Sequence, residues 1–143
     1  MGIERNTKPL SSPRGTNRPR SRGSPEVHGT CIAALKALSG PLVTTWPCFT
    51  EAMYFLGDLK RWNGQKALWG FSERGGLRVH PPADSETRRM KVLMEKYSDT
   101  PMDRADVSLV AAAESQGLHR IFTLDDDFRV YRINGTTAFE VVP

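Results

Sequence analysis

The chain has little of several things that would quickly narrow its chemistry. It contains two cysteines in 143 residues, Cys31 and Cys48, far apart and in no metal-binding spacing. That excludes a disulfide framework and a Cys-based zinc site, and both thiols are expected to pack as small apolar groups. Its three histidines, His28, His80 and His119, are scattered and form no ligand set. No apolar run is long enough for a signal peptide or a membrane span, so a cytoplasmic protein that leaves membranes alone is expected. No glycine-rich phosphate loop, internal repeat or heptad pattern is present, which removes the common nucleotide-binding and coiled-coil readings.

The surplus of positive charge is also local. Residues 1–30 carry six Lys or Arg against two acidic groups, and the remainder carries fourteen of each. The formal +4 therefore says nothing about a basic surface on the folded part. The first 24 residues are rich in Arg, Pro, Ser, Gly, Thr and Asn, with Ile3 and Leu10 as the sizeable apolar groups. Such a segment buries too little to offset its ordering entropy. The expected division is a disordered basic tail over 1–27 and one α/β domain over 28–143. A solvated tail is a better reading of Arg14, Arg18, Arg20 and Arg22 than an RNA contact. The composition also matches out-of-frame reading of GC-rich DNA, so a misassigned start or a frameshift is an expected origin.

From there the chain punctuates itself. A helix is expected near 30–38, stopped by Ser39-Gly40-Pro41, and a strand over 42–45. Pro47 opens a helix to Leu56 with Gly57 as its stop, and Asn63 caps a short one through Ser72. Trp62 and Trp69 are expected in the core. A strand follows at 77–80, broken by Pro81-Pro82, then a helix capped by Asp84. Asn134-Gly135 marks a hairpin between strands over 130–133 and 138–142.

The stretch 101–129 is the most informative. Asp103 can cap the amide of Asp106, Met102 and Val107 can form a hydrophobic staple, and Gly117 can take a left-handed stop. Ile121–Leu124 reads as a short buried strand followed at once by Asp125, Asp126 and Asp127. A short loop forces this helix and strand antiparallel, so the helix start and the strand end meet at one edge. In open parallel sheets, ligands bind outside that carboxyl edge. Carboxylates gathered there would repel unless a cation or basic partner neutralised them, and a hard divalent metal suits oxygen donors. Caps and polar turns explain the same aspartates at least as well when they are taken alone. Glu51 changes the balance: it lies among Phe49, Ala52, Met53, Phe55 and Leu56, where a carboxylate is costly unless paired or ligating.

The pieces Thr50-Glu51, Pro101-Met102-Asp103-x-Ala105-Asp106 and Thr123-x-Asp125-x-Asp127-Phe128, in this order and spacing, resemble the PIN domain family. The VapC-type toxin ribonucleases of bacterial toxin–antitoxin pairs are the nearest relatives by these motifs. The resemblance covers about residues 28–143. It implies a parallel sheet flanked by helices and metal-dependent hydrolysis of RNA phosphodiesters. It implies Asp106, Glu51 and Asp125 as ligands of Mg²⁺ or Mn²⁺, with Asp103, Asp127, Thr50 and Thr123 in support. RNA and a cognate antitoxin are the implied partners, and a homodimer is compatible with it. The family's first strand, central in the sheet and ending in a ligating aspartate, has no counterpart before Cys31. The sheet is therefore expected to have this strand missing or replaced and the ribonuclease to be impaired. The alternative is an inactive remnant that only binds an antitoxin or RNA.

Overall fold

The structure, a computed structural model, describes residues 5–7, 33, 36–37 and 40–142. Among them five strands form one parallel sheet in the order β3-β2-β1-β4-β7. These are β1 (Arg5–Thr7), β2 (Leu42–Thr45), β3 (Leu77–His80), β4 (Arg120–Phe122) and β7 (Glu140–Val142). Two short strands, β5 (Arg132–Ile133) and β6 (Thr137–Ala138), pair antiparallel as a separate hairpin. The helices are α1 (Trp46–Glu73), α2 (Asp84–Lys96) and α3 (Arg104–Gln116), with a 3-10 turn over Asp126–Arg129. No helix among the described residues is long and apolar enough to cross a membrane.

The central place, expected to be vacant or taken by a replacement, is filled. β1 pairs in parallel with β2 through Asn6 and Val43, and with β4 through Arg5–Thr7 and Arg120–Phe122. A ladder is built from backbone amides and carbonyls, so a polar tripeptide can complete it and satisfy the groups that β2 and β4 would otherwise leave open. Apolar periodicity cannot reveal such a strand. The rest of residues 8–32, including the expected first helix and Cys31, lies largely outside the described residues.

The core is organised around α3. All nine residues from Ala105 to Ala113 are buried, which is the condition of a helix packed on several sides. Its small Ala111, Ala112 and Ala113 let neighbours approach, while Leu109 and Val110 fill the space toward Val43, Leu93 and Ile121. Asp103 caps the helix by accepting from the Asp106 amide at 2.8 Å. Gly117 ends it in the left-handed region at φ 64°, with the Leu118 amide on the Ala113 carbonyl at 2.9 Å. Met102 and Val107 are both buried, as a hydrophobic staple requires.

Polar pairs fasten α3 to its surroundings. Arg89 of α2 grips Glu114 with two hydrogen bonds of 2.7 and 3.0 Å, and Glu114 also accepts from the Asn134 amide at 2.8 Å. Glu86, buried at the start of α2, receives His80, Ser115 and the Ala83 amide. Burial alone would raise its pKa. The hydrogen bonds from Ser115, His80 and Ala83 outweigh that and hold it below its ordinary 4.5. Through Glu86 the cap of α2 is Ala83 rather than the expected Asp84, because the longer side chain reaches back to the free amide.

The stretch 46–73 departs from expectation. Gly57 does not stop the first helix, which runs on to a break at Arg61 with φ 50° and ψ −145°; a second helix follows to Glu73, starting close to the expected Asn63. Trp69 packs edge-on against Phe49 at 4.9 Å yet is 42% exposed, and Trp62 is 62% exposed, so neither tryptophan joins the core as expected. The Arg61 conformation is close to glycine's alone and costs roughly 1–3 kcal/mol for other residues. Arg61→Gly should therefore raise stability by about 1 kcal/mol after glycine's own entropy cost, read by urea unfolding. A loss of stability would contradict the assignment of strain to this residue.

Candidate active site at the carboxyl edge

Because β1, β2 and β4 are parallel, their carboxyl ends lie at the same edge of the sheet. α1 leaves β2 there and packs against the first turn of α3. Thr45 Oγ1 lies 2.6 Å from Ser108 Oγ, and the Cys48 thiol donates to the Ala105 carbonyl at 3.6 Å. Ser108 in turn donates to the Ala105 carbonyl at 2.8 Å. Two hydroxyls and a thiol thus lock the start of α1 onto the start of α3. Glu51 is half-buried, one helical turn beyond Cys48 and on the same side of α1. Thr50, expected in support, is on the exposed side.

The other acidic residues come from two turns. Asp106 is 4% exposed, on α3, beside its exposed cap Asp103. After β4 the chain folds over itself. The Thr123 hydroxyl accepts from the Asp125 amide at 3.0 Å, and the Asp125 carboxylate accepts from the Asp127 amide at 3.0 Å. The first bond fixes Asp125 just outside the sheet, and the second starts the 3-10 turn. Phe128, fully buried, anchors that turn with edge-on contacts to Tyr131 at 5.4 Å and Phe139 at 5.7 Å.

Nothing in the sequence singled out Tyr131. It is fully buried, and its phenol is pushed far above the ordinary 10.0 by burial first. The charges of Asp106, Asp127, Asp125 and Asp103 then act on it in the same direction. Negative charge nearby disfavours a phenolate; Asp103 and Asp106 lie at the start of α3, and Asp125 and Asp127 in the turn after β4. The Phe128-x-x-Tyr131 spacing after the aspartates is the available sequence signal, and by itself it says only that both rings face inward.

Whether these residues suit a metal ion can be judged from their donors. All are hard carboxylate oxygens, the kind Mg²⁺ and Mn²⁺ prefer. Among the described residues no three His, Cys, Asp or Glu side chains are gathered as a ready cage. Mg²⁺ does not need one, since it commonly binds through one or two carboxylates, keeps several waters and takes further oxygens from a phosphate. The buried Tyr131 hydroxyl has no hydrogen-bond partner among the described residues. The donor set fits a hydrated, loosely held cation better than an all-protein cage.

Comparison with known proteins agrees with this geometry. No protein-family model matches the chain, and no curated protein sequence does. Solved structures do. The Mycobacterium tuberculosis toxin VapC20, described as cleaving the sarcin-ricin loop, superposes with a TM-score of 0.68 at 15% identity, covering 89% of this chain and 90% of VapC20. VapBC2 of Rickettsia felis, bound to a DNA fragment from its promoter, gives a TM-score of 0.57 at 10% identity, covering 86% and 89%. The chain has the α/β fold of the VapC-type PIN-domain toxins.

Proposed function

We propose that this protein is an endoribonuclease of a bacterial toxin–antitoxin pair, working through Mg²⁺ or Mn²⁺ with an incomplete acidic centre. Its folded unit comprises residues 28–143 together with β1. The observation that supports the reading is Asp106, a carboxylate 4% exposed at the start of α3, whose charge, with those of Asp103, Asp125 and Asp127, acts on the buried Tyr131. A cation bound there would supply an activated water and offset charge on the scissile phosphate. Asp106, Asp125 and Glu51 are the residues assigned to hold it. Asp103 and Thr123 position those groups, one by capping α3 and the other by fixing the Asp125 amide. Asp127 and Thr50 complete the supporting set, Thr50 from the exposed side of α1. A cognate antitoxin, a homodimer and a cytoplasmic location belong to the same proposal.

The impairment follows from the sequence of the central strand. Arg5-Asn6-Thr7 is followed by Lys8, where the PIN pattern would supply an aspartate. The same feature favours a second reading, an inert module that only binds an antitoxin or RNA.

Purified full chain incubated with RNA and Mn²⁺ tests this directly. Slow cleavage is expected, stopped by chelation and reduced at least about 100-fold in a folded Asp106→Asn variant, a loss of the size that removing a metal site's partners produces. Cleavage that survives Asp106→Asn would overturn the assignment. Absence of metal-dependent cleavage would select the inert module.

A further inference from the structure

We propose that a cavity between α2 and the start of α3 is a nucleotide subsite: its apolar wall takes an unstacked base of the RNA strand, and Arg104 at its rim takes a backbone phosphate. This rests on the ribonuclease reading above and goes beyond it by naming where the substrate lies. The cavity has a volume of about 690 Å³ and is lined by the ends of β2 and β3, the start of α1, α2 and the start of α3. Thr45 and His80 are the last residues of their strands, so the cavity lies at the carboxyl edge of the sheet. Arg104, Val107 and Ser108 line it from α3, and Asp106 belongs to the same turn of that helix.

The polar groups of the wall are largely spent on one another. Thr45 and Ser108 share a hydrogen bond of 2.6 Å, and Glu86 receives His80 at 2.9 Å and the Ala83 amide at 3.2 Å. What remains is apolar: Pro47, Pro82, Met90, Met94 and Val107. Apolar pockets of about 300–1,000 Å³ with few polar groups are the usual form of a small-molecule site. Bases of single-stranded RNA can be splayed out and stacked, with His and Arg planes among the platforms, and this wall holds His80 and Arg104. Charge favours the same occupant. Arg104 is exposed and makes no hydrogen bond or ion pair among the described residues. As the first residue of α3 it sits at the positive end of the helix dipole, an unfavourable place for a cation. Lys91, also on the rim, is tied loosely to Glu95 at 3.7 Å, which leaves Arg104 as the uncompensated cation. Carboxylates repel a polyanion, so a strand that reaches Asp106 needs a positive charge beside it. An apolar side chain of a partner protein would fill the wall but give Arg104 nothing.

Arg104→Gln and Met94→Ala in the full chain test the two halves of the subsite, and both residues are exposed, so the fold is expected to survive. Affinity for a short single-stranded RNA of mixed sequence is measured by fluorescence anisotropy, with a chelator present so that binding is read apart from metal. The measurement is repeated with an abasic strand of the same length. Arg104→Gln is expected to weaken both strands about 10-fold and to reduce the slope of log affinity against log salt by about 0.7, the share of one phosphate contact. Met94→Ala is expected to weaken the RNA about 5-fold through lost apolar contact and to leave the abasic strand unchanged. Unchanged RNA affinity in both variants would overturn the subsite and leave the cavity to a protein partner, while cleavage sensitive to Asp106→Asn would still stand. Equal losses on the two strands in Met94→Ala would overturn it by removing the base from the cavity. Wild type that binds neither strand would overturn the subsite whatever the cleavage assay shows.

Discussion

Replacing Arg5-Asn6-Thr7 with Val-Ile-Val should stabilise the protein by roughly 3–5 kcal/mol, read by urea unfolding. β1 lies between β2 and β4 in a wholly parallel sheet, a position usually covered on both faces and filled with Val, Ile and Leu. Its neighbours behave accordingly: Val43 and Ile121, which pair with Asn6, are fully buried. Each aliphatic side chain buried at such a central place would contribute about 1.5–3 kcal/mol. The ladder itself would be unchanged, since it needs only backbone. A stability change within about 0.5 kcal/mol, the range of ordinary surface substitutions, would mean that these side chains reach water.

The second large effect is expected at Phe128. Truncating a buried aromatic costs about 3–5 kcal/mol, and Phe128→Ala should fall in that range by urea unfolding. The ring is fully buried and joins the 3-10 turn to Tyr131 and Phe139. The turn carries Asp125 and Asp127, so the loss should also blur the placement of the acidic group. Misplacement of about 1 Å can cost on the order of 100-fold in rate. Cleavage should thus fall further than the folded fraction does. A cost below about 1 kcal/mol would show that the turn is held by its hydrogen bonds alone.

Phe128 also illustrates what could be read in advance. The unit from Asp103 to Phe128 obeys local rules: a carboxylate cap, a left-handed glycine, and a short loop that turns a helix back along a strand. Each rule acts within a few residues, and the structure reproduces the Asp103 cap, the Gly117 stop and the return along β4. The Asn134-Gly135 hairpin is local in the same sense, with positive φ at both residues. β1 was not legible, because a strand made by its neighbours' hydrogen bonds leaves no apolar pattern of its own. The break between the two halves of α1 falls at Arg61, inside the interval that Gly57 and Asn63 marked out, but local signals did not give its position. Tyr131 was missed for a related reason. Its phenol is held protonated by burial first and then by the charges of aspartates from two segments, and no spacing rule encodes that.

The central claim is that the acidic centre is of the PIN kind and lacks a carboxylate at the end of its central strand. The direct measurement is the rate of Mn²⁺-dependent RNA cleavage by the full chain and by Lys8→Asp, under single-turnover conditions. The substitution places an acid after Thr7, whose register partner Phe122 precedes Thr123 and Asp125. If the account holds, Lys8→Asp raises the rate about 10–100-fold, the range reported for groups that support a metal, and Asp106→Asn abolishes the gain. Rapid cleavage by the unmodified chain, left unchanged by Lys8→Asp, would contradict it.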